Sequence, residues 1–456
     1  MPEKKTSFKF IHTADLHLGR NISIGDKSSS NVNLRYFRLK EELINRAFQA
    51  PITALNNLVF AAIENKVDFI VIAGDVFDSH INSGDLYKVL KKKLFELSQN
   101  GIRVYITLGN HDRIDYLSGD TDLLLDFKNE NLPEGVYVFD DKESESFEDT
   151  FCKVVVHGQS FEKQHVHEPL VKSFPKKKNN YFNIGVIHTD CKGSVSENEN
   201  SNPYAPTSKA LLSPLNYDYW AFGHIHLRST PIESMPEVVY SGNPQGLSTK
   251  PSEMNEKGCV MVSVHDGDME RSFVELDDAR FMEIELNVTP KNTWVDFKGK
   301  VIEKCGDIEW ENNTKLNLIK LTIAGNNSEV KRIIASSIES KNLIRETCSD
   351  NLQIIQIDTQ NLKGDDTKSN FSIVEELGNQ LETLEKEELL NLIFEEASNE
   401  LEKEYQKDFK AGSKETFLAE TTSSKDSSDE FDDLIKTAKT VAENILNGIP
   451  HGGESL

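Results

Sequence analysis

Apolar residues in the first half of the chain gather into short runs, each ending in a few polar side chains. The runs 8–13, 67–73, 102–108, 182–187 and 217–222 are rich in Ile, Val and aromatic residues and predict buried strands. Longer stretches between them, 38–65 and 85–99, predict helices. Pro51 interrupts the first, so two helices or a kink are expected there. Alternating strands and helices predict an α/β fold with its functional loops after the strands.

The polar groups that follow the runs read Asp15-Leu-His17, Gly74-Asp75, Gly109-Asn110-His111-Asp112, His188 and Gly223-His224-Ile-His226. Residues i and i+2 of an extended segment point the same way. Asp15 with His17, and His224 with His226, can therefore each reach one side of a strand end. Carboxylates, imidazoles and an asparagine carbonyl are the ligands of a two-metal phosphoester-cleaving centre, in which two divalent ions sit about 3.5–4 Å apart. Asp75 is best placed to be shared between them. Such a donor set suits manganese, iron or zinc better than calcium. If Asn110 faces the metals, His111 points elsewhere, towards the scissile phosphate, where it can protonate the leaving oxygen. Asp112 is placed to orient its ring.

The order of these motifs resembles that of the calcineurin-like metallophosphoesterases. The strings "FIHTADLHLG", "VDFIVIAGDVFDS", "ITLGNHD", "YDYWAFGHIH" and "YSGNPQG" are similar to the DNA-repair exonuclease branch that includes SbcD and YhaO, over roughly residues 8 to 250. The resemblance implies a four-layer αββα sandwich. It implies that Asp15, His17, Asp75 and His226 hold one metal and that Asp75, Asn110, His188 and His224 hold the other, both most simply Mn²⁺. It makes His111 the catalytic histidine, with Asp78 supporting the site from outside the ligand set. The stretches 20–33 and 194–208 match no pattern of the branch, which puts substrate preference in doubt.

Each motif alone has a plain reading as a solvated strand end. Together, and after "VYITL", they are harder to dismiss, because consecutive polar side chains at a buried strand end are costly unless used. His165-x-His167 copies the spacing but sits in the polar "FEKQHVHEP" and reads as a surface loop. His12 reads as a packed residue, and His157 has no counterpart in the pattern. No Ser-His-Asp or Cys-His set is indicated, and no Walker-type loop appears, so ATP hydrolysis is not expected of this chain.

At 456 residues the chain calls for two or three domains. A metal-dependent phosphoesterase domain is expected over 1–275, closing with strands at 258–265 and 271–274. A small α/β capping domain follows at 280–362, read as strand, strand, helix (328–341), strand. The resemblance implies that a module so placed helps position DNA. No signal-peptide core or run of 18 apolar residues is present, so a cytoplasmic protein without membrane attachment is expected. The five cysteines lie far apart and read as free thiols.

Residues 371–456 carry 21 Asp and Glu against 8 Lys, a net of −13 out of the whole chain's −24. Apolar residues at Ile373, Leu377, Leu381, Leu384, Leu389, Leu392 and Ile393 give a helical stripe with an acidic outer face. A flexible linker and a short amphipathic tail follow. Such a stripe beyond a complete domain needs something to bury against, and the resemblance implies a coiled-coil ATPase of the SbcC type. The sequence leaves oligomeric state open, a homodimer included.

The acidic balance weighs against nucleic-acid binding, which draws affinity from Lys and Arg. More than half of the excess, however, lies beyond residue 370, away from the motifs. The expectation is a metal-dependent DNA exonuclease of double-strand break repair, 3′–5′ on duplex ends with single-strand endonuclease activity by resemblance. The alternative is a phosphodiesterase for a small cyclic nucleotide or nucleotide conjugate; the long remainder of the chain is harder to explain for it. A scaffold that no longer cleaves is a third reading, against which the intact ligand set stands.

Overall fold

A computed structural model describes residues 7–20, 22, 41–78, 84–113, 132–191, 204–232, 237–312, 314–335, 340, 343–344 and 346–364. The stretch 23–33, most of 194–208, and the acidic region 371–456 with its helical reading lie outside the described residues. By internal contacts the chain divides into two compact units. The first comprises 1–287, 298–324 and 344–361; the second comprises 288–297, 325–343 and 362–456.

The first unit is built on two six-stranded sheets. One runs β12 (Asp268–Glu275), β11 (Gly258–His265), β1 (Ser7–Thr13), β2 (Phe69–Ala73), β3 (Arg103–Thr107) and β4 (Val136–Val138). The other runs β5 (Glu145–Asp149), β6 (Val154–Gly158), β7 (Phe182–His188), β8 (Tyr219–Gly223), β10 (Val238–Tyr240) and β9 (Ser229–Ile232). β1 to β4 are parallel, as are β6, β7, β8 and β10. Strands buried on both faces read as near-continuous apolar runs, and all five runs expected before the motifs are strands here.

The sheets pack face to face over Phe10, Phe69, Val71, Val156, Ile184, Tyr219, Ala221 and Val262. The Phe10 ring stacks on Phe69 at 4.9 Å and meets Tyr219 of the opposite sheet edge-on at 5.4 Å. Each fully buried side chain of this kind contributes roughly 1.5–3 kcal/mol. The outer face of the first sheet is covered by α1 (Glu41–Glu64) and α2 (Gly84–Gln99) through Leu55, Leu58, Val59, Leu90, Leu94 and Leu97. The outer face of the second sheet carries only short helical segments among the described residues, Leu170–Ser173 and Lys209–Leu212. Their Val171 and Leu212 pack with Tyr217 and Trp220, so these segments cover that outer face.

Pro51 does not divide the first helix. α1 runs through it unbroken, because the buried face Ala47, Ala50, Ala54, Leu55 and Leu58 stays in register across the one missing amide. A second departure follows β13 (Ala279–Val288). A helix that the strand, strand, helix, strand reading did not include, α3 (Trp294–Glu311), stands between the first two strands. It buries Phe297, Val301, Cys305 and Ile308, and a capping box starts it, in which the Thr293 amide donates to Asp296 and the Asp296 amide donates to Thr293. β14 (Leu316–Asn326) then pairs in parallel with β15 (Leu352–Asp358). Within the second unit, α4 (Ser328–Ala335) begins beside Asn327, whose amide donates to the Thr289 and Asn292 carbonyls, and β16 (Leu362–Lys363) pairs with Gly325 and Asn326. None of the five cysteines forms a disulfide, and no described helix is long and apolar enough to cross a membrane.

Candidate metal centre

The motif residues meet where β1, β2, β3, β7 and β8 end. The loops after β1 and β2 zip together through backbone hydrogen bonds: Asp15 donates to Gly74, His17 to Asp75, Leu18 to Val76 and Asp78 back to Leu18. Asp15, His17, Asp75 and His224 hold positive φ values of 55°, 42°, 52° and 95°. Such conformations are unfavourable for residues with a β-carbon and persist where surroundings over-determine them. The glycines of the motifs answer close approach. A β-carbon on Gly109 would run into the Asp75 carboxylate, and one on Gly223 into the Ala73 carbonyl of the other sheet.

Asp15, His17, Asp75, Asn110 and His188 are buried, and His111, His224 and His226 are half-buried. Ligand-type atoms of Asp15, His17 and His226 lie within 4.8 Å of one another, as do those of Asp15, Asp75 and His188, and those of His17, Asp78 and His111. His17 Nε2 is 3.0 Å from His226 Nε2 and 3.7 Å from Asp75 Oδ2. His188 Nε2 is 2.9 Å from Asn110 Oδ1 and 3.3 Å from Asp75 Oδ2. Asp75 Oδ2 is thus common to both sides of the cluster.

Several imidazoles are held from behind. His188 Nδ1 donates to the Ala73 carbonyl at 2.9 Å, which turns Nε2 inward. His226 Nδ1 meets Glu253 Oε1 at 2.5 Å, and Glu253 Oε2 in turn accepts the Asn243 amide at 2.8 Å. His224 Nε2 lies 3.5 Å from Asp190 Oδ1, so the ring nitrogen left to it is Nδ1, and its backbone amide donates to Asp15. Asp78 stands 3.7 Å from His17 Nδ1 and accepts from Arg20 at 3.1 Å.

His111 donates its backbone amide to Asp75 Oδ1 at 2.9 Å, and its ring lies edge-on to His17 at 4.9 Å. The expectation that Asp112 steers this ring is corrected here. Its oxygens accept the backbone amides of Val76, Phe77 and Gly109, so its work is to brace the β2 and β3 loops. His111 Nδ1 is buried with no hydrogen-bond partner among the described residues. His12, by contrast, is fully buried on Tyr219 and the Phe222 carbonyl, and His157 bonds to Ser146 and Asn183. His165 and His167 are exposed in a loop.

The electrostatics favour cations. Burial pushes the Asp15 carboxyl up to about 6, against the pull of His226 and His188. Burial also opposes the charge on Asp75, but His188, His17 and His111 hold its carboxyl well below the usual range. At His188 burial is outweighed by Asp75 and Asp15, which draw it up to about 9. Two buried carboxylates that pull a proton onto an imidazole make a place for positive charge. The inward-facing oxygens and imidazole nitrogens suit divalent transition metals.

Sequence reasoning missed Glu253 and Asp190. Neither belongs to a motif, and their role comes only from the fold returning them to histidines.

Residues 8–228 match the family model described as calcineurin-like phosphoesterase. Over 287 residues the chain is 30% identical to a protein of Bacillus subtilis called uncharacterized metallophosphoesterase YhaO, covering 62% of this chain and 64% of that one. It is 25% identical over 307 residues to the DNA double-strand break repair protein Mre11 of Methanocaldococcus jannaschii, covering 65% of this chain and 73% of that one. Over 116 residues it is 27% identical to the SbcD component of the Escherichia coli nuclease SbcCD, about a quarter of each chain. The chain thus spans less than two thirds of the Bacillus protein.

Proposed function

We propose that residues 8–228, which match the calcineurin-like phosphoesterase family model, are a catalytic domain of that kind and that the chain is a metal-dependent DNA exonuclease. The observation that supports it is the convergence of two buried carboxylates, one asparagine and three imidazoles within 2.9–3.8 Å steps around Asp75, with the His224 ring 5.1 Å from that of His188. In this reading Asp15, His17, Asp75 and His226 hold one Mn²⁺, and Asp75, Asn110, His188 and His224 hold the other. When bound, the two ions polarise a phosphodiester and make water acidic enough to serve as nucleophile near neutral pH.

The chain's own groups do the rest. Glu253, Asp190 and the Ala73 carbonyl fix which nitrogen each imidazole turns inward. His111, beside His17 and free of the Asp112 carboxylate, gives a proton to the leaving oxygen. Burial, with Arg20 and His188, lowers its pKa against the pull of Asp75 and Asp78, so its protonated form is a stronger acid towards the leaving oxygen and takes its proton back from solvent before the next turnover. Residues 1–275 are the catalytic domain in this account, 280–362 a cap that places DNA 3′–5′ on duplex ends, and 371–456 the segment that docks on a coiled-coil ATPase in the cytoplasm. The Mre11 and SbcCD relatives favour DNA as the substrate over a small nucleotide.

The test is to incubate the protein with Mn²⁺ and end-labelled duplex DNA, single-stranded DNA and a cyclic dinucleotide. Stepwise loss of label from duplex ends is expected. Cleavage of the cyclic dinucleotide alone would replace this reading with the small-substrate one.

A further inference from the structure

Beside the ligand cluster lies an aromatic side chain that the motifs do not include. Tyr204 is half-buried, and its ring centroid is 5.0 Å from that of His224. On the outer side its ring is stacked by His165 at 5.1 Å, at an interplanar angle of 28°. A row of rings, His165, Tyr204, His224 and His188, so leads from an exposed loop to the centre, the last two 5.1 Å apart.

The backbone holds Tyr204 in place from several directions. Its amide donates to Asp190 Oδ2 at 2.9 Å, and its carbonyl accepts the Asp190 amide at 2.9 Å. The next residue, Ala205, donates to the Val166 carbonyl and accepts from the Thr189 hydroxyl, each at 2.6 Å. Asp190 is also the carboxylate behind His224. One short acidic turn after β7 therefore sets both the imidazole and the phenol. A phenol is protonated at neutral pH in ordinary protein surroundings.

A phenol whose ring adjoins His224, at a centre that would attract an anionic diester once its cations are bound, has an evident use. We propose that Tyr204 is a catalytic residue that donates a hydrogen bond to a non-bridging oxygen of the bound phosphodiester, with His165 stacking to hold its ring at the mouth of the site. The proposal rests on the phosphodiesterase reading of this centre. It adds a substrate contact from the segment 194–208, which matches no pattern of the branch. A hydrogen bond to a charged oxygen is among the stronger ones, and its loss lowers kcat/KM by roughly ten- to a hundredfold.

The experiment uses the full chain with Mn²⁺ and compares wild type, Tyr204→Phe and His165→Ala on bis(p-nitrophenyl) phosphate and on a duplex oligonucleotide. Mn²⁺ stoichiometry is measured by calorimetry for each. Tyr204→Phe is expected to keep two ions per chain and lose at least about tenfold in kcat/KM on both substrates, with His165→Ala losing less. If Tyr204→Phe stays within about twofold of wild type, the proposal falls and the metal reading stands. Loss of bound Mn²⁺ in Tyr204→Phe would make the hydroxyl a support for the metal site and also overturn it. A wild-type protein that binds Mn²⁺ but cleaves neither diester overturns the phosphodiesterase reading itself, and this contact with it.

Discussion

Glu253 stands behind His226, its Oε1 2.5 Å from the ring Nδ1, 27 residues further along the chain. Burial works against this carboxylate, but His226, Lys257 and Asn243 hold it down at about 2. The pair fixes the tautomer in which Nε2 faces His17. Outer carboxylates of this kind are worth about ten- to a hundredfold in metal affinity. Glu253→Gln is therefore expected to weaken Mn²⁺ binding by that factor in calorimetry while the far-UV spectrum is unchanged. Unchanged affinity would reduce Glu253 to a fold contact.

Asn110 and His111 are neighbours to which the proposed function gives different tasks, and substitution should separate them. Asn110→Ala is expected to abolish diester hydrolysis together with binding of one ion. His111→Leu is expected to retain both ions and slow turnover by about a hundredfold or more. Metal content by atomic emission, read beside kcat, decides it. Collapse of metal occupancy in His111→Leu would place His111 among the ligands, where its closeness to His17 and Asp78 would then find its use.

His12 ties β1 to β8 away from the cluster, and burial pushes its pKa from 6.5 down to about 3. The folded protein keeps this ring neutral where the unfolded chain protonates it. Below pH 6.5 the unfolded state binds more protons, so stability present above that pH is lost as pH falls towards 3. Between about pH 7 and about pH 5 the loss from this residue is about 2 kcal/mol. His12→Gln is expected to shrink the difference between urea midpoints at those two pH values. An equal difference in both proteins would show that His12 does not set the acid sensitivity.

The strands and motif loops were legible because their signals are local. An apolar run ending in Gly-Asp or Gly-Asn-His-Asp states both the strand and the place where it stops. What was not legible depends on partners distant in sequence. Glu253 lies in "PSEMNEKG", a polar stretch like many others until the fold returns it to His226. Asp112 looked like a companion of His111, yet its oxygens go to the amides of Val76 and Phe77 on another loop. Pro51 is a helix breaker by rule, and a well-buried alanine face overrode it. α3 is the different case: Thr293 and Asp296 form a capping box before a buried Phe297, Val301, Cys305 repeat, and that local signal was readable.

The central claim is that seven side chains, from Asp15 to His226, hold two divalent ions around Asp75. Crystals grown with Mn²⁺ and measured at the manganese edge test it most directly. Two anomalous peaks about 3.5–4 Å apart, both within bonding distance of the Asp75 carboxylate, are the predicted result. A single peak, or two that do not share Asp75, would contradict it.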